Sequence, residues 1–232
     1  KRYGYVGEIT SNPDGSPVRD AAFWSRQPHN VEAFTNELPA ASDEVVLASI
    51  LRSQRQGGPA YDVKGSSDPS ERFMVSHPNR DLRFGFANDG VSIRPEGDRT
   101  WQVKLRATGL GREGAMTPLE QVRPSANGRT VTYEHGIATE WYVHGPLGLE
   151  QGITIYQRPA GQGELTVTVD APSDLTPVLE SYGAVMFMAS DNRAKLIYHP
   201  LFAVDADGKI VPAHMTLDGK TMTADEVDLL AR

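Results

Sequence analysis

From Leu82 to Val211 the chain repeats one local pattern: short segments of alternating apolar and polar residues, separated by turns rich in Gly, Pro, Asn or Asp. Successive side chains of an extended strand point to opposite faces, so a period of two means one face in a core and one toward water. Leu82, Phe84 and Phe86 alternate with Arg83, Gly85 and Ala87, and Asn88-Asp89-Gly90 then turns the chain into Val91 and Ile93. Residues that tolerate positive φ are what a tight hairpin turn demands. Trp101, Val103, Leu105 and Ala107 face one way, and Gln102, Lys104, Arg106 and Thr108 the other. After the Gly-rich interval 109–114, strands are expected over 130–134, 137–143, 152–157 and 164–170. Residues 185–189, apolar on both faces, suit a strand inside a sheet. Strands at 195–199 and 202–204 follow, and Asp205-Ala206-Asp207-Gly208 reads as a hairpin turn into Ile210 and Val211.

Helical signals are confined to two places. Ser42 can cap a helix near residues 43–54, where Asp43 and Glu44 suit the positive end of the dipole and Val46, Leu47, Ile50 and Leu51 form one apolar stripe. Gly57-Gly58 lies just beyond it. The tail, 223–232, carries a cap, early acids and Val227, Leu229 and Leu230, and suits either a short C-terminal helix or a strand. Strands that do not alternate with helices argue against a parallel sheet. The expected fold class is therefore mainly β: an antiparallel β-sandwich of ten or more short strands, one helix near residues 43–54 and room for a short C-terminal helix. Residues 1–40, broken by Asn12-Pro13-Asp14-Gly15, Ser16-Pro17 and Gln27-Pro28, read as an irregular wrapping segment, and 41–232 as a single β-sandwich domain.

Composition narrows the function classes. Hydrophobic residues at 39% and charged residues at 23% are those of a folded globular chain, not a disordered one. A net charge of −7, with no face on which Lys and Arg gather, removes the electrostatic footprint of nucleic-acid binding. No apolar run approaches the roughly 20 residues of a membrane-crossing helix, so no membrane insertion is expected. The opening Lys1-Arg2-Tyr3-Gly4 has no apolar signal core, but a mature exported chain would look the same. Cysteine is absent, which excludes disulfides, thiolate metal sites and cysteine nucleophiles.

The most distinctive stretch is 131–152, VTYEHGIATEWYVHGPLGLEQG. Its tyrosine strand, its Glu140-Trp141-Tyr142 strand and its Gly148-Leu149-Glu150-Gln151-Gly152 turn resemble an N-terminal β-rich module of large secreted bacterial proteins that carry FG-GAP (integrin-like) repeats. The similarity extends to Pro78-Asn79-Arg80-Asp81-Leu82-Arg83-Phe84 on one side. On the other it reaches Leu196-Ile197-Tyr198 and Asp205-Ala206-Asp207-Gly208-Lys209, covering roughly residues 72 to 217. No FG-GAP repeat is present in the chain. The resemblance implies a secreted, periplasmic or cell-surface module for adhesion, assembly or scaffolding, and it brings no catalytic residue with it.

Three residues of this stretch are candidates for contact with a ligand: Glu140, Tyr142 and Glu150. Trp141 and Tyr142 are consecutive, so a strand sends them to opposite faces. At least one belongs in the core, and Trp141 is read as the packed residue, with Tyr142 the one that could stack on a sugar ring. Glu140 and Glu150 could in principle be the carboxylate pair of a glycosidase, which must flank one bond at about 5 to 9 Å. Partners are thus other protein chains or surface glycans. A carbohydrate-binding or carbohydrate-processing domain is the alternative to the scaffolding reading.

Other motifs are weaker. Asp205 and Asp207 resemble half of a calcium loop without its remaining acids, so Ca²⁺ is the one cofactor considered and none is required. The six histidines show no i, i+4 pair and read as turn or surface residues, with His135 and His144 the pair that a hairpin could bring together. No G-x-S-x-G elbow accompanies Ser66, Ser76 or Ser181.

Overall fold

A computed structural model describes residues 4–10, 54, 56–181, 183–205 and 210–226, with the backbone alone for 4–10 and 225–226. In chain order the strands are β1 (Gly4–Thr10), β2 (Lys64–Gly65), β3 (Phe73–Ser76), β4 (Arg83–Ala87), β5 (Gly90–Arg94), β6 (Val103–Arg112), β7 (Thr117–Pro118), β8 (Ser125–Asn127) and β9 (Thr130–Glu134). They continue with β10 (Ala138–Gly145), β11 (Gly148–Ile155), β12 (Leu165–Asp170), β13 (Thr176–Leu179), β14 (Val185–Met188), β15 (Ala194–Tyr198), β16 (Phe202–Val204), β17 (Ile210–Val211), β18 (Ala213–Asp218) and β19 (Thr221–Glu226).

A ten-stranded sheet runs β13-β14-β15-β1-β11-β10-β9-β8, with β16 pairing β1 and β17 pairing β16. A nine-stranded sheet runs β18-β19-β12-β6-β5-β4-β3-β2, with β7 against β6. Neighbouring strands are antiparallel, and inward side chains of both sheets merge into one apolar cluster, so the fold is mainly β and sandwich-like. The alternation read from the sequence is realised in β6, where Val103, Leu105 and Ala107 are buried and Lys104, Arg106 and Thr108 are not. Phe86 meets Tyr142 across the sheets at 5.8 Å between ring centroids, edge to face. Each such fully buried aromatic contributes about 1.5–3 kcal/mol through its apolar area.

Four features depart from or refine the expected pattern. Within the expected irregular lead, Gly4–Thr10 forms β1, an interior strand whose register joins Glu8 to Glu150 and Ile9 to Tyr198. The Gly-rich interval does not break the sheet: β6 runs on to Arg112. A Cβ at Gly111 would collide with the backbone of Ala115, so glycine lets the following turn fold close against the strand. Opposite β12 the register of β6 slips by one residue, leaving Thr108 as a bulge, and the inward positions shift from Ala107 to Leu110. At the tail, residues 221–226 are strand, held on one side by β12 and on the other by β18. The remaining tail and all but Gln54 of the helix expected near 43–54 lie outside the described residues.

Candidate functional site

The β10–β11 hairpin carries every ligand-contact candidate of the sequence, and its unbroken register decides where each one points. Trp141 pairs with Gly152, Val143 with Glu150, and Glu140 with Ile153. Glu140 and Tyr142 consequently face the other sheet, while Trp141 and Glu150 face outward. The two glutamates stand on opposite faces of one sheet and do not form a carboxylate pair around a common bond. Tyr142 and Glu140, at 0% and 1% exposure, are out of reach of an outside ligand. Of the two consecutive aromatics expected to part company, the structure therefore buries Tyr142 and turns Trp141 to the outer face, the reverse of the expected assignment.

Inside, Glu140 is the centre of a hydrogen-bond network. Its Oε1 accepts from the Tyr142 hydroxyl at 2.6 Å, from Gln151 Nε2 at 2.8 Å and from the backbone N–H of Ala107 at 3.3 Å. Ala107 belongs to β6, next to the bulge, so this last bond ties the two sheets together. The Tyr198 hydroxyl donates to Gln151 Oε1 at 3.1 Å, extending the network to β15. His135 Nε2 lies 3.6 Å from Glu140 Oε2. Tyr133 adds a second inter-sheet bond, to the carbonyl of Gly90 at 3.1 Å. Burial first, and the nearby Glu140 second, pushes the phenols of Tyr133, Tyr142 and Tyr198 well above their ordinary range. They act as neutral donors. The Glu140 carboxylate in this place satisfies donors of both sheets, a structural task.

Outside, β9, β10 and β11 floor a groove of about 400 Å³. The indole of Trp141 lies across Gly152, where a Cβ would collide with its six-membered ring, and its Nε1 donates to Thr154 Oγ1 at 3.1 Å. Tyr156, 47% exposed, has its hydroxyl 2.7 Å from Thr139 Oγ1, which itself donates to Glu134 at 2.6 Å. Threonines line the floor, and Gln54 and Arg129 close one end. Arg129 donates to the carbonyl of Gln54 at 2.5 Å. Glu150 belongs to this groove but is 3% exposed.

Two polar clusters had no signal in the sequence. His77 and His144, far apart in the chain, stack with Tyr61: the two imidazoles are edge to face at 5.3 Å, and Tyr61 sits 5.6 and 5.1 Å from them. His144 meets His77, not His135. Both are buried, and burial, the largest cause in each case, lowers their pKa to about 4. The second cluster is Glu71, clamped by Arg83 at 2.5 Å and Arg94 at 3.7 Å beneath the Cβ-free Gly85, where a Cβ would collide with its carboxylate. Ser66 and Ser92 add hydrogen bonds to it. Among the described residues no three His, Asp or Glu side chains are grouped as metal ligands. Asp205 lies just past β16, and Asp207 is outside the described residues. No helix among the described residues is long and apolar enough to cross a membrane.

No family model matches the chain, and no curated protein or solved structure is significantly similar to it. What the arrangement can do chemically therefore rests on its geometry: a closed polar network between the sheets and an aromatic, hydroxyl-lined groove outside.

Proposed function

We propose that the chain is a non-catalytic β module of an exported bacterial protein, serving adhesion, assembly or scaffolding, with other chains or surface glycans as partners. One observation supports this reading best: β10–β11 turns Glu140 inward, where its donors occupy it, and leaves an open face carrying aromatic rings and hydroxyls. Residues fixed this way suit holding a partner more than transferring protons, because general acid–base work needs a titratable group within reach of the substrate. A secreted, periplasmic or surface location belongs to the same reading, on the strength of the resemblance in residues 131–152.

Co-sedimentation with isolated bacterial envelopes tests it, run beside a hydrolysis panel of glycoside, ester and phosphate-ester substrates. Saturable sedimentation without turnover is expected. Turnover that disappears in Glu150→Gln, or a folded chain that leaves envelopes unbound, would overturn the proposal.

A further inference from the structure

The outer groove has a chemistry more specific than that of a generic contact patch. The polar tips of its two aromatic residues are already engaged, the Trp141 indole N–H by Thr154 at 3.1 Å and the Tyr156 hydroxyl with Thr139 at 2.7 Å. Each ring is thereby fixed in orientation, and what it offers to solvent is its apolar face. Gly152 contributes by having no side chain: the indole settles onto the strand in space that any Cβ would take. Around the rings the floor carries Thr130, Thr132 and Thr154, with Val143 as its one aliphatic residue and Arg129 and Glu150 at its margin, while the buried Thr139 hydroxyl is taken up by Glu134 and Tyr156. A protein interface centres on fully desolvated aliphatic and aromatic side chains, whereas much of this floor is threonine, each residue carrying a hydroxyl. A pyranose presents the matching surface. Its C–H faces are attracted to the negative face of an aromatic ring, and its rim of hydroxyls finds acceptors and donors in threonines that lose little entropy on binding.

Spacing sets the length of the ligand. Trp141 pairs with Gly152, and Tyr156 follows β11 where its N–H reaches the carbonyl of Ile137, four residues along the partner strand. At about 3.3 Å per residue the two Cα positions stand roughly 13 Å apart along the hairpin, but the Trp141 indole and the Tyr156 phenol reach Thr154 and Thr139, which are cross-strand partners, so the rings converge and together seat one to two sugar units. A groove of about 400 Å³ is of that order and within the range of small-ligand sites. We infer that the outer face of β9–β10–β11 is a binding site for an oligosaccharide, stacked on Trp141 and Tyr156 and hydrogen-bonded by Thr130, Thr132 and Thr154. This deepens the binding-module reading and rests on it.

Affinity electrophoresis through gels containing β-glucan, xylan, mannan or soluble chitin derivatives, followed by calorimetry with the matching oligosaccharides, tests the site. One class should retard the chain, with affinity rising from one to two sugar units. Tyr156→Ala and Trp141→Ala should each weaken binding about tenfold or more, the loss expected for removing one stacked ring. Trp141→Phe should retain part of it. Gly152→Ala, which displaces the indole without removing it, should weaken binding as Trp141→Ala does. Circular dichroism and the urea midpoint establish that each variant is folded, and Tyr156→Ala, at an exposed position, carries the test if Trp141→Ala does not fold. A folded chain that still sediments with envelopes but ignores every glycan would overturn the oligosaccharide site and leave the binding-module reading standing. Glycan binding unchanged in both aromatic variants, or capture of a proline-rich peptide in the groove in place of sugar, would equally overturn it.

Discussion

Glu140 shows how much a single buried carboxylate depends on its neighbours. It accepts hydrogen bonds from a phenol, an amide and a backbone N–H while only 1% exposed. Removing the acceptor takes the partner from the Tyr142 hydroxyl and the Ala107 N–H, while Gln151 Nε2 keeps the Tyr142 oxygen at 3.0 Å, so Glu140→Ala should lose about 2–5 kcal/mol of stability in urea denaturation. Tyr142→Phe removes one donor and keeps the ring that packs on Phe86 and Tyr133, and should lose about 1–3 kcal/mol. If the two variants melt alike, Glu140 does not hold the network together. That these residues mattered was legible in the stretch of sequence around Trp141. Their inward direction was not, because adjacency says only that Trp141 and Tyr142 part company.

Within the β10–β11 hairpin, the tight turn depends on a residue that lies far away in the chain. Gly148 has a φ of 135°, a conformation glycine adopts without strain. Gln54, buried at 2%, accepts the Leu147 N–H at 3.1 Å and donates to the Gly148 carbonyl at 3.4 Å. Gln54→Ala should therefore lower stability by about 1–2 kcal/mol in thermal or urea unfolding, the usual cost of leaving buried turn groups unpaired. An unchanged midpoint would mean that water replaces the amide. The turn glycines were visible from the sequence, since a hairpin needs them. Gln54 was hidden in a helix signal 93 residues upstream of Leu147, and no local pattern couples the two.

For the whole molecule, the buried imidazoles set how stability responds to acid. His77 and His144 have a pKa of about 4 in the folded chain, against an ordinary value near 6.5 when unfolded. Between those values the unfolded chain binds protons that the folded one refuses, so stability falls as pH drops from about 6.5 toward 4. Above that window these groups have no effect. Two such groups contribute up to about 2.7 kcal/mol per pH unit. His199, also lowered to about 4 by burial, acts in the same direction. Urea midpoints measured at pH 7.5, 6 and 5 should decline steadily, and His144→Phe should flatten the decline by about one proton. An equal slope in that variant would show that His144 titrates normally in the fold.

By itself the sequence determined the strand class, the principal hairpin turns and the rule that Trp141 and Tyr142 face apart, because strand periodicity and positive φ are local properties. The tertiary structure decided the rest. It selected Tyr142 for the core and Trp141 for the outer face, since the side that is buried is the one meeting β6 and Phe86 of the other sheet. It placed Gly4–Thr10 beside β11, introduced the bulge at Thr108, and joined His77 to His144. Each of these depends on pairing between distant segments. A residue's own neighbours in the chain carry no record of which strand will lie beside it or which face will be covered.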